Sequence, residues 1–204
     1  MTTPTAPDPL VIDTFAQRRY LAEILESLTA QQWSHPSLCS GWRVREVVAH
    51  ITLPYRHSIP RILAGIVAAR GRFNVFSDRI ARRDTRELTD SELLECLAHN
   101  IEHRWRPPGG GQVGALSHDV IHGLDITEAL ALPGPPAERI HTVLAHTEPD
   151  QLGYFGVDLS GVRLQATDCD FSIGEGKTVQ LPAKDILLIV TGRRSVPMRE
   201  PEGA

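Results

Sequence analysis

The chain is 204 residues long, enough for one compact domain or a main domain with an appendage, so bulk stability requires neither disulfides nor a structural metal. Its 21 Lys and Arg against 25 Asp and Glu leave a net charge of -4, which excludes a general electrostatic attraction to nucleic acid or to a membrane surface and favours a small-molecule partner. Hydrophobic residues at 41% and charged residues at 23% are ordinary globular usage and exclude a disordered or membrane-spanning class.

Between 9 and about 29, Leu21, Ile24, Leu25 and Leu28 recur at three- and four-residue steps, and Asp8 stands before Pro9 as an N-cap, which predicts a first amphipathic helix. "SLCSGW" turns the chain. "VREVVAHI" then resumes helical spacing through Val44, Val47, Val48 and Ile51 until Pro54 interrupts it, so His50 falls late on a second helix. After "SIPRIL" a third helical piece runs to Gly71, and the basic stretch 79–86 predicts another helix with a solvated face. Thr89 and Glu92 form a capping-box pair that opens a helix through Leu93, Leu94, Leu97 and Ile101. "RPPGGG" ends it. The next helix carries "HDVIHGLDI" and is closed by "LPGPP", and a shorter one follows over about 137–146.

Beyond Pro149 the pattern changes: "VRLQATD", "DFSIG" and "KTVQLP" read as short strands and "AKDILLIVTGRR" as a last helix. The expected fold is therefore mainly α with an α+β tail, a helical domain over 1–149 and a small α+β region over 150–204. Cys39, Cys96 and Cys169 are an odd count without a C-x-x-C pair, so neither a disulfide framework nor a thiolate zinc site is read from them, and a reducing cytoplasm is the expected location. "MTTPTAPDPL" has no basic segment before an apolar run, and no apolar run reaches membrane-spanning length, so neither export nor anchoring is expected.

Among nine histidines, two pairs stand four residues apart. His99 and His103 have Asn100, Glu102, Arg104 and Arg106 as neighbours and read as a solvated pair. His118 and His122 are surrounded by Leu116, Val120, Ile121 and Ile126, and His50 sits within "VVAHI", so these three point toward an interior where an unpaired imidazole is costly. Residues i and i+4 share a helix face, which lets two imidazoles converge on one ion, and His50 is the natural third donor for a divalent metal with one open position. The competing reading is that His118 and His122 are helix residues hydrogen-bonded to Asp119 and Asp125. Spacing leaves both open.

"CSGWRVREVVAHI" resembles the N-terminal signature of the mycothiol-dependent maleylpyruvate isomerase family, a branch of the DinB-like four-helix-bundle metalloproteins, in which a Gly-Trp turn precedes a helix ending in a metal-binding histidine. "HDVIHGLDI" resembles the second signature, and "GVRLQATDCDFSIGEG" with "AKDILLIVTGRR" resembles the C-terminal α+β region, so the likeness is collinear over nearly the whole chain. It implies a DinB-like four-helix bundle followed by the small α+β region. It also implies a divalent metal on His50, His118 and His122, with zinc the first expectation and nickel the second, and mycothiol, a low-molecular-weight thiol of actinobacteria, as cosubstrate.

In the maleylpyruvate isomerase a carboxylate is expected where this chain has His118, which looks more like the three-histidine thiol transferases. A neutral three-histidine shell leaves a more electrophilic ion. The resemblance further implies that Arg193 in "TGRR" grips a substrate carboxylate, and that Asp125, and less so Asp119, fixes an imidazole tautomer. Cys39 is expected to be inert and Trp42 to anchor the metal-bearing helix. The expected activity is thiol transfer to, or isomerisation of, a small electrophile by a monomer or homodimer. A metal-dependent hydrolase and a non-catalytic metal-binding or ligand-binding module are the alternatives.

Overall fold

The computed structural model describes residues 8–197. The first helix, α1 (Pro9–Glu26), begins where the Asp8 carboxylate accepts the Leu10 amide at 2.9 Å and Pro9 occupies the first turn. A one-turn helix, α2 (Ala30–Trp33), follows behind its own capping box of Thr29 and Gln32. Next come α3 (Val44–Ile51) and α4 (Leu53–Arg56), parted at Thr52. Pro54 lies in the first turn of α4, where its missing N–H leaves no hydrogen bond unmade, so the predicted interruption is also a helix start.

Four more helices complete the N-terminal part: α5 (Ile59–Ala68), α6 (Phe73–Glu87), α7 (Asp90–Ala98) and α8 (Gly111–Thr127). The predicted capping box opens α7, with Thr89 and Glu92 bonded in both directions. Its end falls short of Ile101, because Asn100 turns its side-chain amide back onto the Cys96 carbonyl at 2.8 Å and closes the last turn. After these come α9 (Ala137–Ala145), α10 (Gln151–Phe155), strands β1 (Ser160–Ala166) and β2 (Ser172–Leu181), and α11 (Ala183–Val190).

The described residues fall into two compact units divided between Pro135 and Pro136. In the first, α1, α8, α3 and α7 form a closed ring in which each helix packs on the next, and α6 packs on α3 as a fifth. Their shared core includes Leu21 and Leu25 from α1, Val47 and Val48 from α3, and Leu93 and Leu97 from α7. Burying each such side chain contributes roughly 1.5–3 kcal/mol. The protein is thus mostly helical, with a helical bundle ahead of a small α+β part.

In the second unit α9 packs on α11, and α11 on β1. The sequence reading set the boundary at 149/150 because α9 continues the helical pattern. Its buried residues, Ile140, Val143 and Leu144, instead belong to the C-terminal unit.

Strand β1 pairs in parallel with β2 from Ser160 opposite Glu175 to Ala166 opposite Leu181, while Arg163, Leu164 and Gln165 also face Gly174, Ile173 and Ser172. One strand therefore serves both edges of β1, first antiparallel and then parallel, which accounts for the separate strand signals in "DFSIG" and "KTVQLP". The passage around β1 needs Gly176: its φ is +124°, and a Cβ there would lie 2.3 Å from the Gly161 backbone. Among the described residues no helix is long and apolar enough to cross a membrane.

Candidate metal centre

The Gly-Trp turn and α3 place His50. Gly41 takes φ +77°, which a side chain rarely adopts, and the turn closes with the Trp42 amide on the Cys39 carbonyl at 2.9 Å and the Ser37 amide on the Trp42 carbonyl at 2.9 Å. The Leu38 amide donates to the backbone carbonyl of Asp125 at 3.0 Å, so the turn is tied directly to α8. Trp42 is buried, donates Nε1–H to Asp78 at 2.9 Å and has its ring 5.2 Å from that of His50. It is the anchor expected, and it also walls one side of the imidazole.

On α8, His118 and His122 present their rings to the same side, with centroids 4.8 Å apart. His118 Nδ1 donates to Asp119 at 2.9 Å and His122 Nδ1 donates to Asp125 at 2.8 Å, both acceptors being buried carboxylates. An ionised carboxylate only accepts, so these bonds put the proton on Nδ1 and make Nε2 the nitrogen that each ring offers to an ion. The aspartates thus orient the same imidazoles that converge on His50, and the two readings do not exclude each other.

Asp119 is fixed in turn by Arg18 of α1, whose side chain is 0% exposed and whose Nε lies 2.7 Å from Oδ2. Burial by itself would raise the Asp119 pKa. The hydrogen bond from His118 and the Arg18 charge outweigh it and hold the carboxyl below its ordinary value. Arg18 also donates Nη1 to the carbonyls of Ile101 and His103, which secures the loop carrying Trp105. The Trp105 ring lies 5.3 Å from that of His118.

The three rings meet with centroids 4.9 Å (His50 to His122) and 5.1 Å (His50 to His118) apart, and their ligating nitrogens all lie within 4.8 Å of one another. His118 Nε2 and His50 Nε2 are 3.3 Å apart. Converging imidazole lone pairs repel unless a cation or a shared proton lies among them, so this donor set fits a divalent metal held by three neutral nitrogens.

The structure brings His50, His118 and His122 together and seats Asp119 and Asp125 behind them. Cys39 is half-buried against the bundle core. His99 and His103 are exposed and lie at and beyond the end of α7, so they share no helix face. Arg193 belongs to the C-terminal unit, where its guanidinium stands 5.7 Å from the centre of the Phe155 ring and donates to the Thr191 carbonyl at 2.7 Å. Arg18 and Trp105 were not foreseen. The available signal for Arg18 was its register with Thr14, Leu21 and Leu25, which puts an arginine on the buried stripe of α1.

A helical bundle with three converging, carboxylate-oriented imidazoles defines the protein as a candidate metal-binding bundle. Residues 15–108 match the model of the mycothiol maleylpyruvate isomerase N-terminal domain, and over this segment the chain is similar to that family. The match contains the Gly-Trp turn and His50 and stops before α8, so His118 and His122 join the site through the geometry described above. No curated protein and no solved structure matches the chain at a significant level.

Proposed function

We propose that the protein is a divalent-metal-dependent enzyme that takes mycothiol as its thiol cosubstrate and acts on a small electrophile as a thiol transferase or isomerase. The observation that carries this reading is the convergence of His50, His118 and His122 behind the family's Gly-Trp turn, with two of the rings locked by buried aspartates. His50, His118 and His122 would hold the ion, zinc in the first instance and nickel in the second. Such an ion supplies the positive charge that converts a thiol, mostly protonated at neutral pH, into a nucleophilic thiolate.

The chain's own residues prepare that chemistry. Asp119 and Asp125 hold Nδ1–H on both α8 histidines, which keeps Nε2 available as a lone-pair donor and raises its basicity. Arg18 balances the charge of Asp119 at 2.7 Å. The Trp42 and Trp105 rings pack 5.2 and 5.3 Å from those of His50 and His118, and apolar neighbours strengthen charge interactions. Three free cysteines and a free thiol cosubstrate both suit a reducing cytoplasm.

Metal content of untagged protein, measured for the wild type and for His122→Ala, is the first test, and one equivalent of zinc or nickel per chain should disappear in the variant. Metal-loaded wild type should then consume mycothiol in the presence of an electrophilic alkene and give an S-conjugate. If the alkene isomerises while the thiol is regenerated, the isomerase arm is selected. Turnover of an ester or amide without any thiol would replace the proposal with a hydrolase, and no turnover with metal bound would leave a binding module.

A further inference from the structure

We propose that the C-terminal unit carries a second divalent-cation site, built from His141, Asp168 and Cys169, that takes a zinc-type ion and clips α9 to the turn between β1 and β2. The ligating atoms of these three side chains lie within 4.8 Å of one another. They come from two places far apart in sequence, α9 and residues 167–171, and no C-x-x-C or His-x-x-x-His spacing announces them. That is why the isolated Cys169 conveyed nothing in the sequence.

One donor is fixed by the backbone and a second has an unmet ring nitrogen. Asp168 uses Oδ1 to accept the Ala183 amide at 2.7 Å, at the first residue of α11, and its Oδ2 is left facing His141 Nε2 at 3.7 Å. That separation is too long for a hydrogen bond, and the Nε2 atom is buried without a hydrogen-bond partner. A buried ring nitrogen facing a carboxylate oxygen and a thiol across such gaps is poorly served by direct contact and well served by an ion between them.

A free thiol is mostly protonated at neutral pH. A divalent cation reverses that balance. The thiol proton leaves to solvent, and the thiolate and carboxylate together neutralise the ion. One nitrogen, one oxygen and one sulfur donor select zinc over magnesium or calcium, which prefer all-oxygen shells. With Asp168 44% exposed at its side chain, a fourth position opens to water. The site differs from the three-histidine cluster in its donors, in its unit of the fold and in having a thiolate.

That thiolate makes the test specific. The full chain is stripped with chelator, kept reduced with a phosphine and titrated with Co²⁺. A cysteine ligand produces a sulfur-to-cobalt charge-transfer band in the near ultraviolet, which an all-imidazole shell does not. The wild type should develop the band, saturating by two added equivalents per chain because the three-histidine cluster takes Co²⁺ as well, and by one in His122→Ala. Cys169→Ser should abolish it, and His141→Ala should weaken Co²⁺ binding at this site by more than about tenfold, the lower end of the loss that even outer-shell partners cause.

The band should persist in Cys39→Ser, which removes the thiol of the Gly-Trp turn, and in His122→Ala, so this site is read independently of the other cluster. A wild type without the band, or a band that survives in Cys169→Ser, overturns the proposal. Circular dichroism of Cys169→Ser in the absence of metal should match the wild type, which separates lost ligation from lost fold.

Discussion

Asp119 and Asp125 face the same pair of imidazoles, yet removing each has a different consequence. Asp119 gives one oxygen to His118 and the other to a fully buried arginine, so it settles a charge as well as a tautomer. Asp125 takes the His122 proton at 2.8 Å on a carboxylate that is 0% exposed, three residues along the same helix. Asp125→Asn should therefore keep the fold and lower metal affinity by roughly 10- to 100-fold, as loss of an outer-shell partner does. Competition with a chromophoric chelator measures it, and unchanged affinity would show that Asp125 does not tune the cluster. Arg18→Met, by contrast, leaves Asp119 buried without its cation, and breaking such a pair costs about 3–5 kcal/mol. Urea unfolding followed by tryptophan fluorescence should show that loss, and a shift below 1 kcal/mol would place Arg18 among weak surface pairs, against its complete burial. Of this site, the three histidines were legible because helical spacing and apolar neighbours expose them. Arg18 was not, because an arginine in register on an amphipathic helix is ordinarily a solvated residue, and its partner lies 101 residues away.

Among the elements, the long helices could be read from periodicity and caps because both signals are local. Thr89 and Glu92 are the clearest case: hydroxyl and carboxylate each satisfy an amide that the first turn of α7 leaves unbonded. Thr89→Ala should accordingly cost about 1 kcal/mol, read as a lowered urea midpoint with unchanged m-value. The one-turn helices α2 and α10 escaped, since four or five residues cannot display a 3.6-residue period. The division of the chain also escaped, because whether α9 belongs with the bundle or with α11 depends on which core receives Ile140, Val143 and Leu144, a non-local matter. The three strand signals were present in the sequence, but their joining into one strand that flanks β1 on both sides depends on Gly174 and Gly176, each with positive φ and no room for a Cβ. A methyl group at Gly176 would meet the Gly161 backbone at 2.3 Å, which cannot retreat as a side chain could.

At the scale of the molecule, acid should act unequally on the two units. The N-terminal unit contains Asp84, which is 2% exposed at its side chain and is shared by Arg56, by His57 at 2.8 Å and by Arg83 at 3.0 Å, joining the end of α4 to α6. Burial would raise the Asp84 pKa, but the hydrogen bonds from His57 and Arg56 outweigh it and hold the carboxyl below its ordinary value. A depressed folded pKa contributes stability that is whole above the unfolded value of about 3.9 and is lost as pH falls through the folded value. Among the described residues of the C-terminal unit the depressed carboxylate is Asp158, held by Ser160 on an exposed turn, where such a bond adds little to stability. All three tryptophans, Trp33, Trp42 and Trp105, lie in the N-terminal unit, so their fluorescence reports that unit alone. In metal-free protein, Asp84→Asn should lower the fluorescence-detected stability by about 1.5–3 kcal/mol at neutral pH, because the half-buried Arg56 loses its counter-charge while the more exposed Arg83 keeps Glu87 at 3.7 Å. The difference between wild type and variant should begin to close as pH drops past the ordinary carboxylate value, and should nearly vanish once Asp84 is protonated in the wild type as well. Asp119 and Glu46 titrate in both proteins and cancel in that difference. A gap that stays constant down to the acid transition would mean that Asp84 contributes through packing rather than charge, and the ion-pair cluster would then not be what ties α4 to α6.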